Sequence, residues 1–124
     1  MSKILIIEDD ETLVKMYQRK LEHEGFQVAV AYSGGEGMLK APREKPDLIL
    51  LDIMMPAVDG FEVIKNLKAV RETKDIPIII LTNLGTSEIF INEAKSLGVK
   101  NYLVKYKTSA DEVVVKIKQE LKDK

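Results

Sequence analysis

Leu48-Ile49-Leu50-Leu51-Asp52 is an apolar run that stops on a carboxylate. The same arrangement recurs elsewhere: residues 4–7 run into Glu8 and Asp9, residues 78–81 into Thr82, and residues 102–104 into Lys105. Short runs of Ile, Leu and Val without polar alternation are the pattern of strands covered on both faces, as in a parallel sheet. Strands of a parallel sheet point the same way, so the residues that follow them gather along one edge. Open α/β sheets bind their ligands at that edge. Three carboxylates, a hydroxyl and an ammonium, far apart in the chain, are therefore expected in one pocket.

Between these runs the apolar residues recur at helical spacing. Asp10 and Glu11 open a helix with Leu13, Val14, Met16, Tyr17 and Leu21 on one face. Gly25 stops it, being suited to the left-handed position beyond a helix end. Phe26, Val28 and Val30 alternate with smaller or polar neighbours as a half-buried strand. Ser33 caps a short helix through about Arg43. Its Gly34-Gly35-Glu36-Gly37 lacks the Lys-Ser/Thr ending of a phosphate loop and reads as a loosely packed helix start. Residues 52–58 form a loop, and Asp59 caps a helix bearing Phe61, Val63, Ile64, Leu67 and Val70. The polar stretch 71–75 leads to Pro77, where the next strand begins. Thr86 or Ser87 starts a helix with Ile89, Phe90, Ala94 and Leu97, closed by Gly98. Residues 99–104 make the last strand, and Thr108 caps a final helix with Val113, Val114, Ile117 and Leu121.

Five strands thus alternate with five helices, with no linker or repeat between them. Right-handed crossovers turn this pattern into an α/β fold with a doubly wound five-stranded parallel sheet. Strand order 2-1-3-4-5 is favoured, because it sets the strands ending at Glu8-Asp9 and at Asp52 side by side at a switch point.

The 124 residues suit a single domain, residues 1–124, either standing alone or forming part of a larger protein. Nineteen Lys and Arg nearly balance twenty Asp and Glu, which argues against a general attraction to nucleic acid or to an anionic membrane. The absence of cysteine excludes disulfides, thiolate metal sites and cysteine nucleophiles. The opening MSKILIIEDD lacks the long apolar stretch of a signal peptide, and no segment is long enough to span a membrane, so a cytoplasmic location is expected.

Glu8, Asp9 and Asp52 would set three negative charges close together, each raising the others' pKa unless a cation intervenes. A divalent cation with oxygen ligands relieves this. Mg²⁺ suits the site because it takes a few carboxylates plus waters and phosphate oxygens. With no Cys and only His23, the donors do not suit zinc or copper. Asp can form an aspartyl-phosphate, and phosphoryl transfer needs an in-line nucleophile with positive charge on the equatorial oxygens. Asp52 is then the nucleophile, the metal and Lys105 neutralise the transferred group, and the Thr82 hydroxyl donates to it.

These residues make the chain resemble the receiver domain of bacterial two-component response regulators, over essentially its whole length. The matching pieces are Glu8-Asp9, the segment Asp52-Ile53-Met54-Met55-Pro56-Ala57-Val58-Asp59-Gly60, Leu81-Thr82, and Tyr102-Leu103-Val104-Lys105. The resemblance implies a chemotaxis-regulator-like, flavodoxin-like fold. It also implies a Mg²⁺-dependent switch, which takes a phosphoryl group onto Asp52 from a histidine kinase or phosphotransfer protein. By that match Asp9 and Asp52 are direct metal ligands, Glu8 binds largely through water, and Met54 adds its backbone carbonyl. Thr82 would move to bond the phosphoryl group and Tyr102 would turn inward, remodelling the face of the fourth helix, fifth strand and fifth helix. A downstream protein target and a monomer or phosphorylation-linked dimer are implied, without direct binding to nucleic acid or membrane. The chain departs from the family at Tyr106, where proline is usual, and at Asn83, usually a small residue; the stretch between Thr82 and Lys105 also looks one residue longer. Met54 and Leu84 flank the path of an attacking water without being able to orient it, so slow self-dephosphorylation is expected.

Two other classes compete with a switch. A true aspartyl-phosphate phosphotransferase generally needs a second Asp two positions after the nucleophile, where Met54 stands. A pseudo-receiver scaffold would keep the fold without phosphorylation, against the retention of Glu8, Asp9, Asp52, Thr82 and Lys105. Outside the pocket, Asp10 reads as a helix cap, His23 as a solvated residue between Glu22 and Glu24, and the lysines of the last helix as a solvated face.

Overall fold

The computed structural model describes residues 2–52, 60–82, 88–99 and 101–122. The elements run β1 (Lys3–Ile7), α1 (Glu11–His23), β2 (Gln27–Ala31), α2 (Gly34–Glu44), β3 (Leu48–Leu51), α3 (Gly60–Ala69), β4 (Ile78–Thr82), α4 (Glu88–Ser96), β5 (Asn101–Val104), a 3₁₀ turn (Lys105–Lys107) and α5 (Ala110–Lys122). The sheet is parallel in the order β2-β1-β3-β4-β5, as the sequence predicts. No described helix is long and apolar enough to cross a membrane.

Alternation along the strands splits the core into two layers, because successive side chains point to opposite faces of a sheet. Leu5, Ile7, Ile49, Leu51, Ile78 and Ile80 face Ala41 of α2, Val63, Ile64 and Leu67 of α3, and Ala94 of α4. Ile4, Ile6, Leu48, Leu50, Ile79 and Leu81 face Val14, Tyr17 and Leu21 of α1 and Val113, Val114 and Ile117 of α5. This is why the strands lack polar alternation: helices cover both faces.

Several local expectations are corrected. Thr108 does not cap α5; its hydroxyl donates to the Val104 carbonyl at 2.8 Å. Ser109 is the cap, its Oγ accepting from the Glu112 amide at 3.1 Å while the Glu112 carboxylate accepts from the Ser109 amide at 3.1 Å. That reciprocal pair is a capping box. The helix start at Gly34-Gly37 is not loose. A Cβ on Gly37 would lie 2.5 Å from Ile7 Cδ1, so α2 approaches β1 more closely than any side chain would permit. Met16 is 42 % exposed rather than on the buried face of α1. Val70 falls just past α3, and the last strand is the shorter Asn101–Val104. Within the polar stretch, Thr73 is buried and donates to the Leu67 carbonyl at 2.6 Å, tying off the end of α3. The caps expected at Asp59 and at Thr86 or Ser87 lie outside the described residues. Gly25 and Gly98 both follow helices with positive φ, 93° and 87°, as their placement suggested.

Candidate functional site

Sheet register carries the acidic residues to one place. Ile7 pairs with Leu51, and the Asp52 amide donates to the Ile7 carbonyl at 3.0 Å, so Glu8 and Asp52 leave adjacent strands at the same level. Carboxylate oxygens of Glu8, Asp9 and Asp52 lie within 4.8 Å of one another. Glu8 and Asp52 are buried and Asp9 is exposed.

Lys105, the first residue after β5, reaches back over the sheet edge. Its ammonium forms an ion pair with Glu8 and lies 3.1 Å from Asp52 Oδ2. Its side chain is only 13 % exposed. Burial alone would lower the Lys105 pKa; the hydrogen bond to Glu8 and the charge of Asp52 outweigh it and hold it above the usual lysine value. For Glu8 burial wins instead. Despite the hydrogen bond from Lys105, burial and the neighbouring Asp52 charge push its carboxyl up to about 7.

Glu8 is also tied to the start of α1, where the Asp10 amide donates to its Oε2 at 3.2 Å. Asp10 turns away and caps α1, accepting from the amides of Thr12 and Leu13 at 3.0 and 3.2 Å. The capping reading of Asp10 is therefore correct.

Thr82 ends β4, fully buried and paired with Val104. Since Leu51 pairs with Ile80, Thr82 stands one residue further along its strand than Asp52 does on β3. Tyr102 is half-buried in β5 beside Ile80 and packs against the layer containing Ala94. Met54, Asn83 and Leu84 lie outside the described residues. No cis peptide bond occurs among the described residues, and Lys105 and Tyr106 both belong to the 3₁₀ turn. His23 is solvent-exposed at the end of α1, as expected.

One feature was not foreseen. Sequence reasoning reserved Lys105 for an incoming phosphoryl group, whereas its ammonium already neutralises Glu8 and Asp52. Tyr17 is a core residue whose burial raises the pKa of its hydroxyl, with opposing smaller effects from the charges of Lys105 and Glu8. The spacing of Tyr17 from Val14 and Leu21 is the signal that it lies over the sheet.

The donor set fits a hard divalent cation. It is all oxygen, it gathers three carboxylates at one water-accessible edge, and its one exposed member, Asp9, provides the approach. A cation there would share the Glu8 and Asp52 carboxylates with Lys105.

Comparisons with known proteins identify the family and the fold. A model of the response regulator receiver domain matches residues 4–118. Protein PilH of Pseudomonas aeruginosa is 38% identical over 107 residues, covering 85% of this chain and 86% of its own length. The DNA-binding dual master transcriptional regulator RpaA of Synechocystis sp. is 41% identical over 105 residues, covering 85% of this chain but only 43% of RpaA. The chain thus spans most of one relative and less than half of the other. Among solved structures, a CheY-like response regulator receiver domain protein from Methanospirillum hungatei superposes with a TM-score of 0.91 at 28% identity, covering 99% of this chain and 95% of that one.

Proposed function

The chain belongs to the response regulator receiver domain family, and on that premise we propose that it is a phosphorylation-dependent signalling switch whose phosphoacceptor is Asp52. The observation that carries this reading is the Lys105 ammonium set between Glu8 and the 3.1 Å contact to Asp52, with Asp9 exposed alongside. All 124 residues form one receiver domain in this reading, which acts in the cytoplasm and not as a conventional enzyme.

Asp9 and Asp52 would hold Mg²⁺ directly and Glu8 largely through water, and by the family resemblance Met54, which lies outside the described residues, would add its backbone carbonyl. When bound, the metal would supply positive charge to neutralise the transferred group beside Asp52. An Asp52 carboxylate oxygen attacks phosphorus in line as the bond to the donor's leaving atom breaks, and that atom keeps the electron pair. The carboxylate is already ionised, so no general base is required. Lys105 follows the charge from the carboxylate to the phosphoryl oxygens, stabilising the transition state over the ground state. Thr82, one residue outward on the adjacent strand, supplies a hydroxyl to the phosphorylated state. Its movement and that of Tyr102 carry the signal to the α4-β5-α5 face. The donor is a histidine kinase or phosphotransfer protein and the output is a changed affinity for a protein target.

Incubation with acetyl phosphate and Mg²⁺, followed by intact mass measurement, tests this. One phosphoryl group is expected, abolished in Asp52→Asn and by chelation of the metal. Folded protein that takes up no phosphate would overturn the switch reading in favour of a scaffold role.

A further inference from the structure

β2 is an outer strand of the sheet, paired only with β1. In a parallel pair, alternate residues turn both backbone groups toward the partner, and the residues between them turn theirs away. The Gln27 amide donates to the Ser2 carbonyl at 2.9 Å, and the Ala31 carbonyl accepts from the Glu8 amide at 3.0 Å. Gln27, Ala29 and Ala31 therefore face β1. Val28 and Val30 turn their amides and carbonyls to the open edge, followed by the Tyr32 amide. The stretch Phe26-Gln27-Val28-Ala29-Val30-Ala31-Tyr32 carries no charge, proline or glycine. An uncharged edge of this kind is a template for a further strand, and its own copy is a matching one.

Two side chains of α2 occupy the far end of that edge. The Lys40 ammonium donates to the Val30 carbonyl, and the Glu36 carboxylate accepts from the Tyr32 amide at 3.3 Å. The two side chains are joined by an ion pair of 2.9 Å. The Val30 carbonyl and the Tyr32 amide flank Ala31, and they are the acceptor and donor that one residue of an incoming parallel strand would use. The ion pair stands in the place of that residue. Helix capping does not account for the arrangement. In a capping box the N3 carboxylate returns to the N-cap amide, here that of Ser33, whereas Glu36 reaches one residue further back to the strand. Stability does not account for it either, because the two side chains are 40 % and 37 % exposed and exposed ion pairs contribute little.

We propose that Glu36 and Lys40 guard the open edge of the sheet against strand addition, the excluded partner being β2 of a second copy of this chain. The guard works by occupation: an added strand must first displace both hydrogen bonds, to Val30 and to Tyr32. Two hydrogen bonds of ordinary net worth amount to about tenfold in an association constant.

The test compares wild type, Glu36→Ala, Lys40→Ala and the double variant, alanine preserving the helix propensity of α2. In sedimentation at rising concentration, the double variant should self-associate about tenfold more strongly than wild type, with each single variant between them. The melting temperature of the dilute protein should be nearly unchanged. Amide hydrogen exchange should show Val28, Val30 and Tyr32 gaining protection with concentration in the double variant. Adding Gln27→Lys, a charge at an exposed position of the same strand, should return the double variant to wild-type behaviour. A double variant that associates no more strongly than wild type overturns the proposal, as does association that leaves those amides unprotected. A lowered melting temperature with unchanged association would reduce the pair to a contact at the start of α2 and overturns it equally. If the double variant does not fold, the single variants carry the same comparison.

Discussion

The Lys105 ammonium lies 3.1 Å from Asp52 Oδ2, joining the end of the last strand to the end of the central one. On the proposed reading, a bound metal would share these carboxylates with the lysine and could take over part of its neutralising role. Lys105→Ala leaves Glu8 and Asp52 facing each other without a cation. Removing one partner of a fully buried pair costs 3–5 kcal/mol, and since water reaches this edge a smaller loss of about 2 kcal/mol is expected in metal-free protein. Urea unfolding with and without Mg²⁺ checks this: the metal should restore much of the stability and bind more tightly than to wild type. Phosphorylation from acetyl phosphate should nevertheless slow by about 10²-fold, because the charge that follows the phosphoryl group is gone.

Glu8 gives the metal-free protein an unusual pH dependence. Its carboxyl is pushed up to about 7, so the folded state binds a proton that the unfolded state releases from 4.5 upward. Its contribution to stability is fully present below about 4.5 and is lost as pH rises through about 7. That is opposite in sign to an ion-paired carboxylate with a lowered pKa. Thermal melts from pH 5 to 8 should show this decline without metal and its disappearance at saturating Mg²⁺, which binds the ionised form. Calorimetry in buffers of different ionisation enthalpy should show proton release on metal binding at pH 6 and little at pH 8.

Gly37→Ala tests the close approach of α2 to β1. Alanine gains about 1 kcal/mol of helix propensity, but its Cβ meets Ile7 Cδ1 at 2.5 Å in a fully buried setting. Overpacking costs about 1–3 kcal/mol, so a net loss is expected. Ile7→Val removes the clashing methyl, and the double variant should be more stable than the sum of the two single effects. A thermodynamic cycle from chemical denaturation measures that coupling.

Ser109→Ala should cost about 1 kcal/mol by removing the cap of α5. Thr108→Ala removes only the bond to Val104 and should cost about 1 kcal/mol or less. Amide hydrogen exchange separates the two, with faster exchange in the first turn of α5 expected for Ser109→Ala alone.

The mix-up between Thr108 and Ser109 illustrates what could be read from the chain. Both hydroxyls stand three residues before an acid, Asp111 and Glu112 respectively. Only the longer Glu112 reaches back to an amide, while Asp111 pairs with Lys20 across to α1. Local pattern cannot distinguish these, because the choice depends on a tertiary contact. The buried strands were legible for the converse reason: helices on both faces leave an uninterrupted apolar run as the direct imprint. The gathering of Glu8, Asp9, Asp52 and Lys105 followed from strand direction. The pairing of Lys105 with Glu8 did not, since it requires knowing where a side chain ends as well as which edge it starts from. Thr73 was hidden in the same way, polar in composition yet enclosed at the end of α3.

The hydrogen bond between Lys105 and Glu8 joins residues 97 positions apart. All three carboxylates belong to the first 52 residues, on strands that pair with each other. A chain emerging from synthesis thus acquires its cluster of negative charge early and its compensating ammonium late, after β5 has docked. Contacts of such long sequence separation form only once the intervening loop entropy has been overcome. The pocket is consequently a record of complete folding: a partly made chain holds Glu8, Asp9 and Asp52 without the ammonium that Lys105 brings to them.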